Sequence, residues 1–263
     1  MLLTGIKNIA IIGAGNVATH LALALKDKNK QIIQVYSRTE ESAKALAGKV
    51  SASYTTKLHD LTGDADLYII SVSDSAVRQI AGNISLTDKL VVHTSGSLPI
   101  DILKNTSSHY GVFYPFQTFS KKIKLDFTSI PVCVEANTKE NQEALIRLGK
   151  ELSGDARIMN SEQRTILHLA GIFACNFSNN MYAITADIFS KHNIPFDIIR
   201  PVINETAKKI NTVNPFDAQT GPAVREDMEI INKHLDLLSE YPDYKEIYDL
   251  ITRNIIKLKH RNG

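Results

Sequence analysis

The sequence predicts an α/β domain built on a doubly wound, mainly parallel sheet, followed by an all-α domain. Short apolar runs alternate with helical patterns through the first 160 residues, whereas the pattern is helical from Ser161 onward. A chain of 263 residues is long enough for about two domains. We therefore predict an α/β domain over residues 1–160 and a helical domain over residues 161–263.

The first predicted strand and the turn after it form the clearest motif in the chain. Apolar residues 9–12 lead into Gly-Ala-Gly-Asn-Val-Ala at positions 13–18, the GxGxxA form of the dinucleotide-binding fingerprint. The helix predicted over Val17–Lys26 would direct its N-terminus at the phosphates. A glycine turn that binds no ligand is the alternative. The residues expected to hold a pyrophosphate are Gly13, Ala14, Gly15, Asn16 and Val17.

The end of the second predicted strand, Gln31–Ser37, indicates which dinucleotide is bound. NAD-binding domains usually carry Asp or Glu there to bind the ribose hydroxyls, but this chain has Ser37, Arg38 and Thr39. A carboxylate would repel a 2′-phosphate, whereas a guanidinium matches it in charge and geometry. We therefore expect NADP(H) as the cofactor, with an arginine on a solvated turn as the alternative.

Two further buried strands are predicted over Asp66–Ser71 and Lys89–Val92. Ligands of parallel sheets lie beyond the carboxyl ends of such strands. Asp74 has a second interpretation, as the N-cap of the helix predicted over residues 75–81. The residues expected beside the cofactor are Val72, Ser73, Asp74, Thr94 and Ser95.

His93 directly follows the second of these strands and is a candidate proton donor near the nicotinamide, because histidine exchanges protons near neutral pH. A packed loop without a catalytic role is the alternative. Ser95 lies two residues further on, but it is not part of a GxSxG motif. A serine hydrolase built on Ser95 and His93 is therefore poorly supported.

The rest of the first domain continues the alternation of strands and helices. A short helix is predicted near residues 100–104 and an amphipathic helix over 139–152. Strands are predicted over residues 110–114, 130–135 and 156–159, with an aromatic loop at 115–119.

The helical domain begins with a long uncharged segment, Thr165–Ala186. It is long enough to cross a bilayer, but His168, Asn176 and Asn179 make it too polar for lipid. We predict a buried helix whose polar face lies against a cleft or a partner subunit, with a core helix of hydrogen-bonded amides as the alternative. Its apolar stripe comprises Ile166, Leu169, Ala170, Phe173, Phe177, Met181, Ile184 and Ile188.

Later helices are predicted over residues 196–210, from Ala223 onward and over residues 244–258. The second of these would carry Glu226 and Asp227 in its first turn, where the helix dipole favours acids. Arg225 lies at the end where the dipole disfavours a cation. We therefore expect Arg225 to pair with an acid or to bind an anionic ligand.

Composition narrows the classes of partner. A net charge of +2, spread along the chain, argues against a nucleic-acid surface. Cys133 and Cys175 lie in apolar surroundings without CxxC spacing, which predicts reduced core thiols in a cytoplasmic protein. Residues 1–4 lack the apolar run of a signal peptide. We expect no metal site and no membrane or nucleic-acid partner.

Several motifs together resemble a Rossmann-like family characterised by a domain of unknown function, number 2520. The chain is similar to it along essentially its whole length, and more distantly to pyrroline-5-carboxylate, ketopantoate and deazaflavin-dependent NADP reductases. The family places an NADP domain before a helical domain of the 6-phosphogluconate-dehydrogenase type. The motifs are Gly13–Val17, Val91–Ser97, Tyr114–Phe119, His168 with Asn176 and Phe177, and Thr220–Asp227 with His234 and Leu235.

The resemblance implies hydride transfer to or from a small carbonyl or imine substrate in a cleft between the two domains, and dimerisation through the helical domain. Hydroxyacid dehydrogenases of this superfamily use a lysine near the start of the long helix. This chain has His168 in that region, with Ile172 one turn later. The lysine is therefore absent, and either His168 supplies the proton or the reaction needs no strong acid.

Two hypotheses from different classes follow. In an NADP(H)-dependent oxidoreductase, His168 would act as general acid and base and Asn176 would orient the substrate, with Asn179 nearby. Arg225 would bind a substrate carboxylate or pair with Asp227. Alternatively, the protein is a sensor or scaffold that binds NADP without turnover, an idea that the missing lysine supports.

Overall fold

The fold is described from a computed structural model that covers residues 5–262. The signal-peptide prediction concerns residues 1–4 and lies outside the described residues. Contacts divide the chain into two compact units, Met1–Cys175 and Asn176–Gly263. The helix that follows residue 160 belongs to the first of these units. The predicted domain boundary at residue 160 stays a prediction.

One eight-stranded sheet organises the described part of the first unit. Its strand order is β3-β2-β1-β4-β5-β6-β7-β8, and neighbouring strands are parallel except for β6 and β7. The strands are β1 (Asn8–Ile12), β2 (Gln31–Tyr36), β3 (Ser53–Thr55), β4 (Leu67–Ile70), β5 (Leu90–His93), β6 (His109–Pro115), β7 (Val132–Ala136) and β8 (Ala156–Ile158). The predicted mainly parallel α/β fold is confirmed. Strand β3 was not predicted, because three residues at the edge of a sheet leave no apolar run.

Both faces of the sheet are buried, which explains why its central strands are continuously apolar. In β1, Ile9 and Ile11 pack in one apolar cluster, whereas Ala10 and Ile12 pack in the other. The helices α1 (Asn16–Asp27) and α2 (Glu40–Val50) cover the first face, α3 (Asp74–Ala81) covers the second, and α4 (Lys139–Leu152) returns to the first. The strand order reverses between β1 and β4, and ligands of such sheets bind at this point.

From Ser161 onward the elements of the described chain are helical, as predicted. They are α5 (Ser161–Gly171), a π-helical turn (Ile172–Phe177), α6 (Ser178–Lys191), a 3₁₀ turn (Phe196–Ile199), α7 (Arg200–Lys209), α8 (Pro222–Arg225), α9 (Met228–Leu237) and α10 (Pro242–Asn262). The predicted long helix is thus interrupted by the π-helical turn. No helix within residues 5–262 combines the length and the apolar character needed to span a membrane.

The prediction of one helix from Ala223 onward is wrong. Helix α8 ends at Arg225, and Glu226 has a left-handed backbone with φ 55°. Asp227 then caps α9, because its side chain accepts a hydrogen bond from the backbone N–H of Ile230 at 3.3 Å. Arg225 therefore lies at the C-terminal end of a helix, where a cation is favourable, and the dipole argument about this residue does not apply.

Burial also differs from prediction in the helical part. The first half of the predicted buried stripe is exposed in the single chain, with Leu169 50% and Phe173 63% accessible. Cys175 is exposed as well, so the prediction of core thiols is correct for Cys133 and wrong for Cys175. The prediction failed because apolar periodicity identifies a face that needs cover but not the surface that covers it.

Candidate active site

The fingerprint turn has the geometry that its glycines predict. Gly13 has φ +124°, and a Cβ atom there would lie 2.1 Å from the Ser71 carbonyl oxygen. The space beside Gly15 is open, since a Cβ atom there would meet nothing within 4 Å. Gly15 is also the N-cap of α1, which leaves the first N–H groups of this helix without a side-chain cap. Open space at a helix N-terminus is the arrangement that binds a phosphate group.

A groove of about 1060 Å³ runs along the carboxyl ends of the central strands, and all of its lining residues belong to the first unit. It brings together most of the predicted site. The predicted residues that line it are Gly13, Ala14, Gly15, Asn16, Val17, Ser37, Arg38, Thr39, Val72, Ser73, Asp74, Thr94, Ser95 and His168. A groove of this size can hold a dinucleotide.

One end of the groove carries the positive charge that a phosphate requires. Arg38 is exposed there, beside Ser37 and Thr39. Among residues 5–262 its guanidinium has no hydrogen bond or ion pair, so its donors are available to a ligand. Asp74 lines the groove as well, but it is the first residue of α3 and Ser73 occupies the N-cap position. The alternative prediction that Asp74 caps this helix is therefore wrong.

The loop after β5 is held by its own hydroxyl groups. The Ser95 hydroxyl accepts hydrogen bonds from the backbone N–H groups of Ser97 at 3.1 Å and Leu98 at 3.0 Å. Thr94 donates its hydroxyl to Ser71 at 3.1 Å, and Ser97 donates to Asp74. These contacts shape the loop, and the Ser95 hydroxyl binds backbone N–H groups rather than a base that could activate it as a nucleophile.

His93 lies beneath this loop and is not among the residues that line the groove. Its Nδ1 accepts a hydrogen bond from the backbone N–H of Ser95 at 3.1 Å, and within residues 5–262 its buried Nε2 has no partner. Burial, followed by the nearby charge of Arg164, lowers the pKa of His93 to about 4. The ring is therefore neutral at neutral pH. Its Nδ1 contacts the amide of Ser95 and not the hydroxyl, so a serine–histidine pair for hydrolysis does not form.

His168 lies on α5 and reaches the groove beside Tyr114 from the end of β6. The Tyr114 hydroxyl and His168 Nδ1 are 3.1 Å apart. A Cβ atom at Gly96 would lie 2.8 Å from the His168 ring and 2.9 Å from the Tyr114 ring, so this loop position has no room for a side chain. Of Tyr114, Gly96 and His168, the sequence predicts only His168 as a site residue. The apolar and aromatic pattern around Tyr114 predicts only a strand that leads into an aromatic loop.

Arg164 is the second residue that sequence reasoning missed. Its side chain is fully buried and forms an ion pair with Glu135 of β7 at 2.5 Å. It also donates hydrogen bonds to the carbonyl oxygens of Ser95 and Leu98. Arg164 and His168 are four residues apart and lie on one face of α5. This spacing is the sequence signal that could have identified Arg164, because an arginine on the same helix face as a site histidine needs an acidic partner or hydrogen-bond acceptors.

Lys121 provides a third contact that the sequence did not indicate. Its Nζ donates to the Ala14 carbonyl oxygen at 2.6 Å, and its backbone N–H donates to Asn16 Oδ1 at 3.4 Å. His20 Nε2 lies 2.9 Å from the Ser120 carbonyl oxygen. The segment after the aromatic loop is thus attached to the fingerprint turn and to the first turns of α1.

The remaining predicted site residues lie in the second unit and do not line the groove. Asn176, Asn179 and Arg225 are exposed. Within residues 5–262 Arg225 and Asp227 form no ion pair, since Asp227 caps α9 and Arg225 has no acidic partner. No cluster of three or more metal-binding side chains occurs among the described residues.

Two family models match successive parts of the chain. Residues 8–96 match the family described as NADP oxidoreductase, coenzyme F420-dependent. Residues 130–255 match the domain of unknown function 2520. No curated protein matches the chain.

Solved structures extend this similarity to the whole chain. A Bacteroides fragilis protein, provisionally named as an NADP oxidoreductase, is 46% identical over 95% of this chain and 98% of its own, with a TM-score of 0.91. The chain therefore belongs to the family of NADP oxidoreductases that carry the domain of unknown function 2520. The predicted resemblance is confirmed. The predictions of an oxidoreductase and of NADP(H) are confirmed at the level of the family.

Two more distant structures share the fold. A pyrroline-5-carboxylate reductase from Streptococcus pyogenes is 15% identical over 95% of this chain and 98% of its own, with a TM-score of 0.62. A reductive aminase from Aspergillus terreus, solved with NADPH and ethyl-5-oxohexanoate, is 13% identical over 98% of this chain and 93% of its own, with a TM-score of 0.69.

The ion pair between Arg164 and Glu135 predicts a large loss of stability when it is broken. We expect Arg164→Met to cost about 3–5 kcal/mol, because Glu135 keeps a largely buried charge without its partner. Thermal unfolding followed by circular dichroism measures the loss. Arg164→Met combined with Glu135→Leu should recover much of it, since no unpaired carboxylate remains.

The exposed pair of Arg157 and Asp155 is the matched control. These side chains are 66% and 36% accessible, so Arg157→Met should leave the melting temperature nearly unchanged. Equal losses in Arg157→Met and Arg164→Met would contradict the role assigned to Arg164.

The lowered pKa of His93 predicts an acid-labile fold. In the unfolded chain His93 takes up a proton near pH 6.5. In the folded chain the same ring stays neutral until the pH reaches about 4, so the unfolded state binds more protons between these values. Stability should therefore fall by about 3 kcal/mol as the pH drops through this window. His93→Asn keeps an acceptor for the Ser95 amide and should lose this part of the pH dependence in melting experiments. The exposed His59→Asn should retain it, and a pH profile unchanged by His93→Asn would contradict the assignment.

Proposed function

We propose that this protein transfers hydride between NADP(H) and a small carbonyl or imine substrate. The observation that carries the proposal is the groove at the carboxyl ends of the strands. It combines an uncapped helix N-terminus, open space at Gly15 and the available guanidinium of Arg38 with a histidine–tyrosine pair. Bound NADPH would supply the hydride, and the chain would supply binding, orientation and a proton.

The cofactor's phosphates define the roles of the residues at one end of the groove. The N–H groups at the start of α1 would bind the pyrophosphate, with Gly13 and Gly15 allowing its close approach. Arg38 would bind the 2′-phosphate with its guanidinium, and Ser37 and Thr39 would add hydroxyl donors. These roles are supported by the open space at the turn and by the absence of a competing partner for Arg38 among the described residues.

The nicotinamide end would lie against the loop after β5 and against His168. Thr94, Ser95, Ser73 and Val72 line this part of the groove. His168 would exchange the proton that accompanies the hydride, in place of the lysine used by hydroxyacid dehydrogenases. His93 has no part in this proposal, because its ring is buried beneath the loop.

The class of substrate is supported by the neighbours' names. A pyrroline-5-carboxylate reductase and a reductive aminase share the fold, and the latter was solved with a ketoester. Asn176 and Asn179 would orient the substrate, and Arg225 would bind a carboxylate if the substrate carries one. These three roles, the contribution of Asp227, the placement of the substrate in an interdomain cleft and the cytoplasmic location stay predictions.

A second function is favoured by one observation. No lysine lines the groove within the described residues, so a sensor that binds NADP(H) without turnover is the alternative. It predicts tight NADPH binding without consumption of NADPH in the presence of any small carbonyl or imine compound. His168→Ala would then have no activity to lose.

A homodimer formed through the helical unit completes the proposal. In the described residues 176–262 only Ala223, Ile231 and Thr252 are buried, whereas many large apolar side chains are exposed. Such a helical unit has too little core of its own, and a second copy of the chain would cover its apolar faces. The 6-phosphogluconate-dehydrogenase-type character of this unit is part of the same proposal.

Cofactor choice can be tested by titrating the purified protein with NADPH and NADH while nicotinamide fluorescence is recorded. Arg38→Ala should abolish a preference for NADPH of about tenfold, equivalent to about 1.4 kcal/mol, and should leave the NADH affinity unchanged. Lys44→Ala, an exposed cation on α2 outside the groove, is the control. If neither nucleotide bound the wild-type protein, the oxidoreductase proposal would be abandoned.

Dimerisation can be tested by light scattering coupled to size exclusion. We expect the wild-type protein to have twice the mass of the chain. Ile198→Lys combined with Val202→Lys, which replace two exposed apolar residues of this unit, should halve it, because two charges would be buried at the interface. Ile123→Lys changes an exposed isoleucine outside the helical part and should leave the mass unchanged. A monomeric wild-type protein would refute this part of the proposal.

A further inference from the structure

Tyr114 lies where a proton donor for the proposed reaction is needed. It lies at the end of β6, next to the loop after β5, and its side chain lines the groove together with Gly96 and His168. The carboxyl ends of neighbouring parallel strands carry the reacting groups in sheets of this kind. Within the described residues, Tyr114 is therefore well placed to present a phenol to the part of the groove assigned to the nicotinamide.

The contact with His168 gives this phenol a proton-exchange partner. Its hydroxyl oxygen is 3.1 Å from His168 Nδ1, and the two rings meet edge to face at 71° with their centres 6.3 Å apart. Gly96 packs against both rings so closely that no larger residue fits. The pair is thus held by packing as well as by a hydrogen bond, which keeps the two groups within reach of each other.

The chemical state of the phenol suits a donor. Burial raises the pKa of Tyr114 to about 12, so the hydroxyl keeps its proton at neutral pH. An alkoxide formed by hydride addition to a carbonyl is a far stronger base than this phenolate, so proton transfer to the product is downhill. After it has given up its proton, the phenolate is reprotonated only slowly by water at neutral pH. A neighbouring imidazolium can reprotonate it directly.

On the basis of the proposed function, we propose that Tyr114 donates the proton to the substrate and that His168 restores it through Nδ1. In the reductive direction a C–H bond forms at the carbonyl or imine carbon with the hydride from NADPH, and the π electron pair moves to oxygen or nitrogen. The O–H bond of Tyr114 then breaks and a new O–H or N–H bond forms on the product. His168 Nδ1 gives its proton to the phenolate, and solvent reprotonates the imidazole.

The first arm of the test needs neither substrate nor turnover. Nitrogen-15 NMR of the imidazole groups, recorded with and without NADPH, reports the protonation and tautomer of His168. Tyr114→Phe should change the tautomer balance of His168, because the hydroxyl partner of Nδ1 is lost. Tyr110→Phe, the same substitution on the same strand outside the groove, should leave it unchanged. An unchanged His168 spectrum in Tyr114→Phe would overturn the proposal.

The second arm measures NADPH oxidation with ethyl 5-oxohexanoate, alone and with ammonia, and with 2-methyl-1-pyrroline. Tyr114→Phe should lower kcat by about 10²- to 10⁴-fold, and His168→Gln should remove the pH dependence of kcat. Both variants should bind NADPH within twofold of wild type, as measured by fluorescence, and Tyr110→Phe should keep wild-type kcat.

The outcomes separate the two proposals. If the wild-type protein oxidises NADPH with a probe and Tyr114→Phe is equally active, the role of Tyr114 is refuted while the proposed function stands. If the wild-type protein binds NADPH but oxidises it with none of the probes, the proposed function fails and the proton relay fails with it. A lower kcat in Tyr114→Phe with unchanged NADPH affinity and an altered His168 spectrum supports the relay.

Discussion

The buried guanidinium of Arg164 is the interaction on which the candidate site depends. Removing a guanidinium from water is costly, and the cost is offset only when nearly all of its donors find acceptors. Arg164 meets this requirement with a carboxylate from β7, two carbonyl oxygens from the loop after β5 and the Ser161 hydroxyl at 3.2 Å. These partners belong to β7, to the loop after β5 and to the first turn of α5 itself. The guanidinium therefore determines where α5 lies against β7 and the loop after β5.

The position of α5 in turn determines the position of His168. This residue lies one helical turn beyond Arg164, so its ring is brought to the same loop that the guanidinium holds. Gly96 in that loop allows the ring to approach, because a side chain at this position would overlap it. The geometry of the candidate site thus rests on an ion pair whose two residues do not line the groove. This separation is common in enzymes, in which a rigid outer layer orients the reacting groups.

Electrostatics divide the groove into two ends. At the fingerprint end, an uncapped helix N-terminus and the guanidinium of Arg38 favour anions. At the other end, burial keeps Tyr114 protonated and the underlying His93 uncharged at neutral pH. The reduced cofactor, which carries phosphates at one end and an uncharged dihydronicotinamide at the other, matches this division.

The sequence by itself determined the strands of the sheet except β3, the fingerprint and the residues at the ends of β1, β2, β4 and β5, because periodicity and glycine requirements are local. Contacts between residues that are far apart in the sequence became evident only in the folded structure. Arg164 meets Glu135 and Tyr114 meets His168 because α5 packs against β7 and the end of β6. The same limit explains the errors at Glu226 and Cys175, where a backbone angle and an exposed surface overrode a local pattern. Contacts between distant elements depend on packing that no local pattern encodes, so only the tertiary structure decided that Tyr114 and Arg164 join the residues predicted from the sequence.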